Sequence, residues 1–172
     1  MVSYTLLRTA LDPLLAVMGP AGLARLEFLP RAWEYHTQAH ATARHDFGAD
    51  VVVNEDPGAF DALREQLAEY FVGDRREFTI ELDPHGTDFD RRVWQQLLKI
   101  PYGRLRTYGE VARALRKPTA TRAVGQAAGR NPLPILVPCH RVVAADGPGG
   151  WSAFGTPERK ARLLALEGFT GG

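Results

Sequence analysis

The chain changes character at Asp83-Pro84-His85-Gly86, and that break limits what it can fold into. A proline and a glycine this close together interrupt any helix or strand that would run through them. Residues 1–83 carry 7 Lys/Arg against 14 Asp/Glu, and residues 84–172 carry 14 against 6. A net of −7 therefore precedes a net of +8, and together they make the chain's overall +1. With 172 residues, 45% of them hydrophobic, the chain can bury a core as one domain or as two small ones. The break favours two, an N-terminal unit over 1–83 and a C-terminal unit over 84–172. The basic half suits a polyanion such as nucleic acid, although attraction between oppositely charged halves explains the same split.

In the acidic half, apolar runs at 3–9, 14–18 and 23–29 are separated by Asp12-Pro13 and Gly19-Pro20-Ala21-Gly22, the pattern of an antiparallel meander. Val51-Val52-Val53 and Phe78–Leu82 are read as further short strands. Phe60, Leu63, Leu67, Tyr70 and Phe71 fall on one face of a helix that Gly73 ends. This makes a small α/β unit with no catalytic constellation. His36, His40 and His45 attract the eye as metal ligands, but no cysteine or shell of ligating residues accompanies them, and a solvated loop is the expected reading.

The basic half is expected to be mainly helical. Thr87 or Asp88 caps a helix that carries Phe89, Val93, Trp94, Leu97 and Leu98. Thr107 and Glu110 form a capping box at the start of a helix over Tyr108–Leu115. Lys117-Pro118 breaks the chain before a small-sided, basic helix over Ala120–Ala128, so the pair has the spacing of a helix-turn-helix. Asn131-Pro132-Leu133-Pro134 is a stiff turn. The short extended run Ile135–Val137 then delivers Pro138-Cys139-His140-Arg141. Beyond it lies the glycine-rich loop Ala144–Gly150, able to approach a ligand closely or to move. Pro157 opens a last helix.

Cys139 is the only cysteine, so an internal disulfide and a multi-thiolate metal site are both excluded. It is either a small buried hydrophobe or a nucleophile whose thiolate is favoured by His140 and a positive surrounding. Adjacent side chains often point apart, so the link to His140 is expected to run through a water. Glu167 is the candidate to orient the imidazole, as acids do in nucleophile triads. Arg141 is expected to pair within the fold. No basic stretch precedes an apolar segment at the N-terminus, and a reducing, cytoplasmic setting is expected.

On these residues the chain resembles the O6-alkylguanine-DNA alkyltransferases, the methylated-DNA–protein-cysteine methyltransferase family. Pro138-Cys139-His140-Arg141-Val142-Val143 matches the family's active-site signature. Thr107-Tyr108-Gly109-Glu110-Val111-Ala112, Arg122-Ala123-Val124-Gly125, Asn131-Pro132, Arg159-Lys160 and Leu163-Leu164-Ala165-Leu166-Glu167 extend it over roughly residues 86–168. The resemblance implies a ribonuclease H-like N-terminal α/β domain and a C-terminal domain with a winged-helix-like helix-turn-helix unit. It implies irreversible, stoichiometric transfer of an alkyl group from O6-alkylguanine, and from O4-alkylthymine, in duplex DNA to Cys139, after the base is flipped from the stack. His140 is then the base acting through water, Glu167 its holder, and Tyr108 the donor toward guanine N3. Arg122 fills the space left by the flipped base, and Thr107, Ala123 and Ala127 lie against DNA in the minor groove. Asn131 ties the helix turn to the cysteine loop, and Pro134 lines the alkyl pocket. The carbonyls of Cys139 and Val142 take the exocyclic amine, and the Ser152 N–H holds O6 as the base departs. No metal or diffusible cofactor is implied, since the lesion supplies the alkyl group, and no obligate protein partner or membrane is implied.

The chain departs from the family pattern at Gly150-Trp151-Ser152-Ala153-Phe154-Gly155-Thr156-Pro157, where Trp151 stands for the usual tyrosine and the stretch before Lys160 is longer. Trp151 either widens contact with the base or blocks bulky alkyl groups. The alternative function is a non-catalytic alkylated-DNA-binding protein that recruits other repair factors. A thiol hydrolase leaves the basic helix pair without a role, and a purely transcriptional helix-turn-helix protein leaves the cysteine without one.

Overall fold

A computed structural model describes residues 1–170 as two compact units, Met1–His85 and the residues from Gly86 onward. In the first, β1 (Val2–Leu7), β2 (Leu14–Gly19) and β3 (Gly22–Phe28) form the antiparallel meander, and β4 (Val53–Glu55) adds parallel to β1, giving the order β3-β2-β1-β4. The two-residue period sorts the side chains. Val2, Tyr4, Leu15 and Val17 share a core with Ala39 and Ala43 of α1 (Tyr35–Phe47). On β1's other side, Leu7 lies beside Leu67 and Phe71 of α2 (Asp61–Phe71).

Two expectations for this unit are corrected. His36, His40 and His45 lie on α1 and not in a loop. His36 Nδ1 is 2.8 Å from the Tyr4 hydroxyl, and His45 Nδ1 is 2.8 Å from the Asp46 carboxylate. Phe78–Leu82 is not a strand, because only Leu82 bridges to Leu23, while Thr79 is held by the side chain of Gln66.

The second unit begins with α3 (Asp88–Leu97), whose capping box pairs Thr87 with Asp90. Then follow β5 (Arg106–Thr107), α4 (Tyr108–Ala114) and α5 (Thr121–Gly129), with β6 (Val142–Val143) parallel to β5 and α6 (Pro157–Leu166) last. Trp94, 2% exposed, binds α3 to α5 by donating its indole N–H to the Ala127 carbonyl at 2.9 Å. Truncating a buried tryptophan of this kind costs about 3–5 kcal/mol. Among the described residues no helix is long and apolar enough to cross a membrane.

Candidate active site

Thr107 starts α4 by accepting the Glu110 amide, while Glu110 accepts the Thr107 amide, which closes the capping box read from the sequence. The helix ends in a Schellman turn: Lys117 N donates to Ala112 O, Arg116 N donates to Arg113 O, and Arg116 stands at φ +59°. The turn through Pro118 then launches α5. Thr121, Arg122 and Gln126 are exposed on α5 and Ala123 is half-buried. Ala127 is fully buried, and α3 takes up its carbonyl. Its expected place against DNA is therefore corrected, because its side chain belongs to the helix packing and not to the exposed face.

The segment that delivers Cys139 is a buried, strained turn. Ile135, expected to be extended, has φ +78°, a region that a β-branched residue enters only when its surroundings force it. Pro134 bridges to Val137 across this turn, and Val137 N donates to Leu133 O at 2.9 Å. Asn131 clamps it from inside. Its amide donates to Val137 O (2.8 Å) and to Cys139 Sγ (3.0 Å), and its carbonyl accepts from Leu133 N (2.9 Å). Cys139, His140 and Arg141 then form a single 3₁₀ turn, all buried.

His140 is fully buried, and its Nε2 lies 2.7 Å from Glu167 Oε1. Glu167 also accepts from Arg141 Nε and Nη2, both at 2.9 Å, and from the Gly103 amide at 3.3 Å. Burial alone would raise the Glu167 carboxyl, but the bonds from His140 and Arg141 hold it well below the ordinary carboxylate range. Burial pushes His140 below its ordinary value against the pull of Glu167. The ring is therefore neutral at pH 7, and an ionised carboxylate only accepts, so the ring proton sits on Nε2. That leaves Nδ1 as the basic nitrogen, and it is buried with no hydrogen-bond partner among the described residues.

Burial pushes the Cys139 thiol up to about 11, against the Asn131 hydrogen bond and the positive charge of Lys160, which pull it down. Lys160 is 2% exposed on α6 and donates from Nζ to Val142 O (2.8 Å) and Gly150 O (2.9 Å). Burial lowers its pKa to about 8, so it remains largely charged at neutral pH. Tyr108 accepts the Gly150 amide at 2.9 Å, and burial raises its phenol. Beside Cys139 is a cavity of about 30 Å³ whose lining includes Tyr108, Gly125, Trp151, Ser152 and Phe154.

Cys139, His140, Glu167, Asn131, Tyr108, Trp151 and Ser152 thus converge on one small region. Pro134 does not line the cavity; it is buried in the strained turn. Val142 lies outside it too, with its carbonyl on Lys160. Two residues were not expected here. Phe154 is 1% exposed and edge-on to the His140 ring. Lys160 shares the buried face of α6 with Leu163 and Glu167, a 3-then-4 spacing that pointed to it.

Comparison with known proteins places this geometry. The family model described as "6-O-methylguanine DNA methyltransferase, DNA binding domain" matches residues 88–169. The methylated-DNA–protein-cysteine methyltransferase of Mycobacterium tuberculosis is 42% identical over 168 residues, 97% of this chain and 93% of that protein. The chain belongs to the methylated-DNA–protein-cysteine methyltransferase family. The crystal structure of the Mycobacterium tuberculosis protein in complex with DNA superposes with a TM-score of 0.79 at 40% identity, covering 96% of this chain and 92% of that one. The O6-methylguanine-DNA methyltransferase of Pyrococcus kodakaraensis does so at 0.72 and 30% identity, covering 98% and 100%. The N-terminal mixed sheet with helices and the helical C-terminal unit are the architecture of these solved relatives.

Proposed function

We propose that the chain repairs DNA by taking the alkyl group of O6-alkylguanine, and of O4-alkylthymine, onto Cys139 in a single irreversible turnover. The family transfers the group to a protein cysteine, and Cys139 is the only one this chain has. The observation that carries the reading is the Nδ1 of His140, the residue after Cys139: it is buried with no hydrogen-bond partner among the described residues, while Nε2 is committed to Glu167.

With its pKa near 11 the resting thiol keeps its proton, so the thiolate is made only with the base in place. The proton passes through a water to His140 Nδ1, and Glu167 stabilises the imidazolium that forms. Sγ attacks the alkyl carbon, a new C–S bond forms and the C–O6 bond breaks. The electron pair moves into the guanine ring, where the Tyr108 hydroxyl steadies it by donating a hydrogen bond toward N3. The proton that His140 took from Sγ is passed through water to the departing guanine. One proton thus moves from the thiol to the guanine, and Tyr108 and His140 end as they began. The Tyr108 oxygen accepts from Gly150 and keeps its own O–H to donate. S-alkylcysteine is not regenerated.

Exposed Arg122 takes the place of the flipped base, with Thr107 and Ala123 beside it along the backbone. The carbonyls of Cys139 and Val142 take the exocyclic amine, each with a lone pair left after Val142 N and Lys160. The Ser152 N–H meets O6. The partner is duplex DNA in the cytoplasm. Intact-protein mass after incubation with duplex DNA carrying one O6-methylguanine tests the reading. A gain of one methyl group, confined to Cys139 and never exceeding one per molecule, is expected. Tight binding without a mass gain would identify a non-catalytic lesion binder instead.

A further inference from the structure

The loop Ala144–Gly150 lies between two fastened ends. Lys160 Nζ donates to the carbonyl of Val142 just before the loop and to that of Gly150 at its end, so one buried ammonium spans it. Val142 is the fixed end, because β6 is paired to β5. Gly150 is held a second time, by its amide on the Tyr108 hydroxyl. Gly149 lies against the Tyr108 ring with φ +77°, and a Cβ there would be 2.6 Å from Tyr108 Cε2 and 2.7 Å from its oxygen. Only glycine allows this approach. Gly147, at the loop's tip, has open space around the same position.

The cavity that Gly150 and Tyr108 line beside Cys139 is too small for the reaction. About 30 Å³ is the room of roughly one water, and a purine needs several times that. Gly150 and the Tyr108 side chain that holds its amide both line this cavity, so parting them widens the space beside the thiol.

We propose that Ala144–Gly150 is a lid over Cys139, latched at Gly150 by Tyr108 and Lys160, with Lys160 the positioning residue that sets both of its ends. The inference rests on the alkyltransferase reading for its substrate, a flipped base, but not for its test. A base enters only when the Gly150 end parts from its latch, while the Val142 end keeps its place beside Cys139.

The test is Cys139 labelling by two thiol reagents of different size, methyl methanethiosulfonate and fluorescein maleimide, each rate divided by that of glutathione. In the unaltered protein the small reagent is expected to be favoured strongly over the large one. Gly149→Ala cannot seat against Tyr108, and it should raise the large reagent's rate about tenfold, the opening factor of roughly one lost hydrogen bond. Gly147→Ala should change neither rate. Lys160→Met should shift the ratio in the same direction as Gly149→Ala, whereas a merely structural loss would raise both rates alike. A size ratio in the unaltered protein equal to that of glutathione would overturn the lid. So would a folded Gly149→Ala variant with an unchanged ratio. Failure to take a methyl group from DNA would instead count against the proposed function, since these labelling rates need no DNA.

Discussion

Replacing Glu167 by glutamine tests how the buried ionic network is held. The carboxylate side chain is fully buried and is, among the described residues, the one anion paired with the Arg141 guanidinium, which is 7% exposed. In Glu167→Gln the amide oxygen can still accept from His140, but the new amide group then faces the Arg141 donors. The guanidinium keeps the Ile100 carbonyl at 2.7 Å and loses its counter-charge. Leaving one member of a buried pair uncompensated costs about 3–5 kcal/mol, a large share of the ~5–15 kcal/mol that holds a domain together. Urea unfolding followed by circular dichroism measures it. The cost also depends on pH. Glu167 titrates below its ordinary value of 4.5 when folded, so the unfolded chain binds the proton first as pH falls. Its stabilisation is therefore complete above the ordinary carboxylate range and is lost as pH drops through and below it. The gap between the unaltered protein and Glu167→Gln should be widest near pH 7 and should close toward acid. Adding Arg141→Met to the variant should recover part of the loss. A loss below about 1 kcal/mol at pH 7, or strict additivity of the two substitutions, would refute the argument.

Cys139→Ala and Cys139→Ser should abolish alkyl transfer and leave binding to lesion DNA intact, measured by intact mass and by gel shift. Arg122→Ala should slow reaction with duplex DNA more than reaction with a free modified base, and equal slowing on both would remove its base-replacing role. Asn131→Ala strips the strained turn of its internal clamp and should lower unfolding free energy by about 1–3 kcal/mol, because the Val137 carbonyl and Leu133 amide are left buried without a side-chain partner.

What the sequence revealed and what it concealed divide along physical lines. The helix starts at Thr87 and Thr107 were legible because capping is local, complete within three residues. The Glu167–His140 contact was expected on chemical grounds, and the structure places the two groups 2.7 Å apart. Helix α1 was hidden because its buried face is made of Ala39, Thr42 and Ala43, which carry little periodic hydrophobic signal. Ile135 departs from its sequence signal for the opposite reason: its side chain argues for a strand, and Asn131, Leu133 and Val137 override it. A small residue such as Ala127 suits helix packing as well as close approach to DNA, and its burial is set by α3. Lys160 is legible only through the spacing it shares with Leu163 and Glu167, because a lysine by itself gives no sign of burial.

The Glu167 side chain caps a network whose members are far apart along the chain. It reaches back to Gly103, Arg141 and His140, and the Arg141 guanidinium reaches further to Ile100. These closures span tens of residues, so each is entropically dear and forms only once the pieces between are in place. During synthesis on the ribosome, Cys139 and His140 emerge well before Lys160 and Glu167. Until α6 docks, the nascent chain holds a thiol and an imidazole with neither the anion that fixes the ring's tautomer nor the cation that spans the loop. The nucleophile is thus assembled by the final turn of this unit. A protein that can react only once gains from that order, because its single reactive group stays unprimed until the surface that selects its substrate is complete.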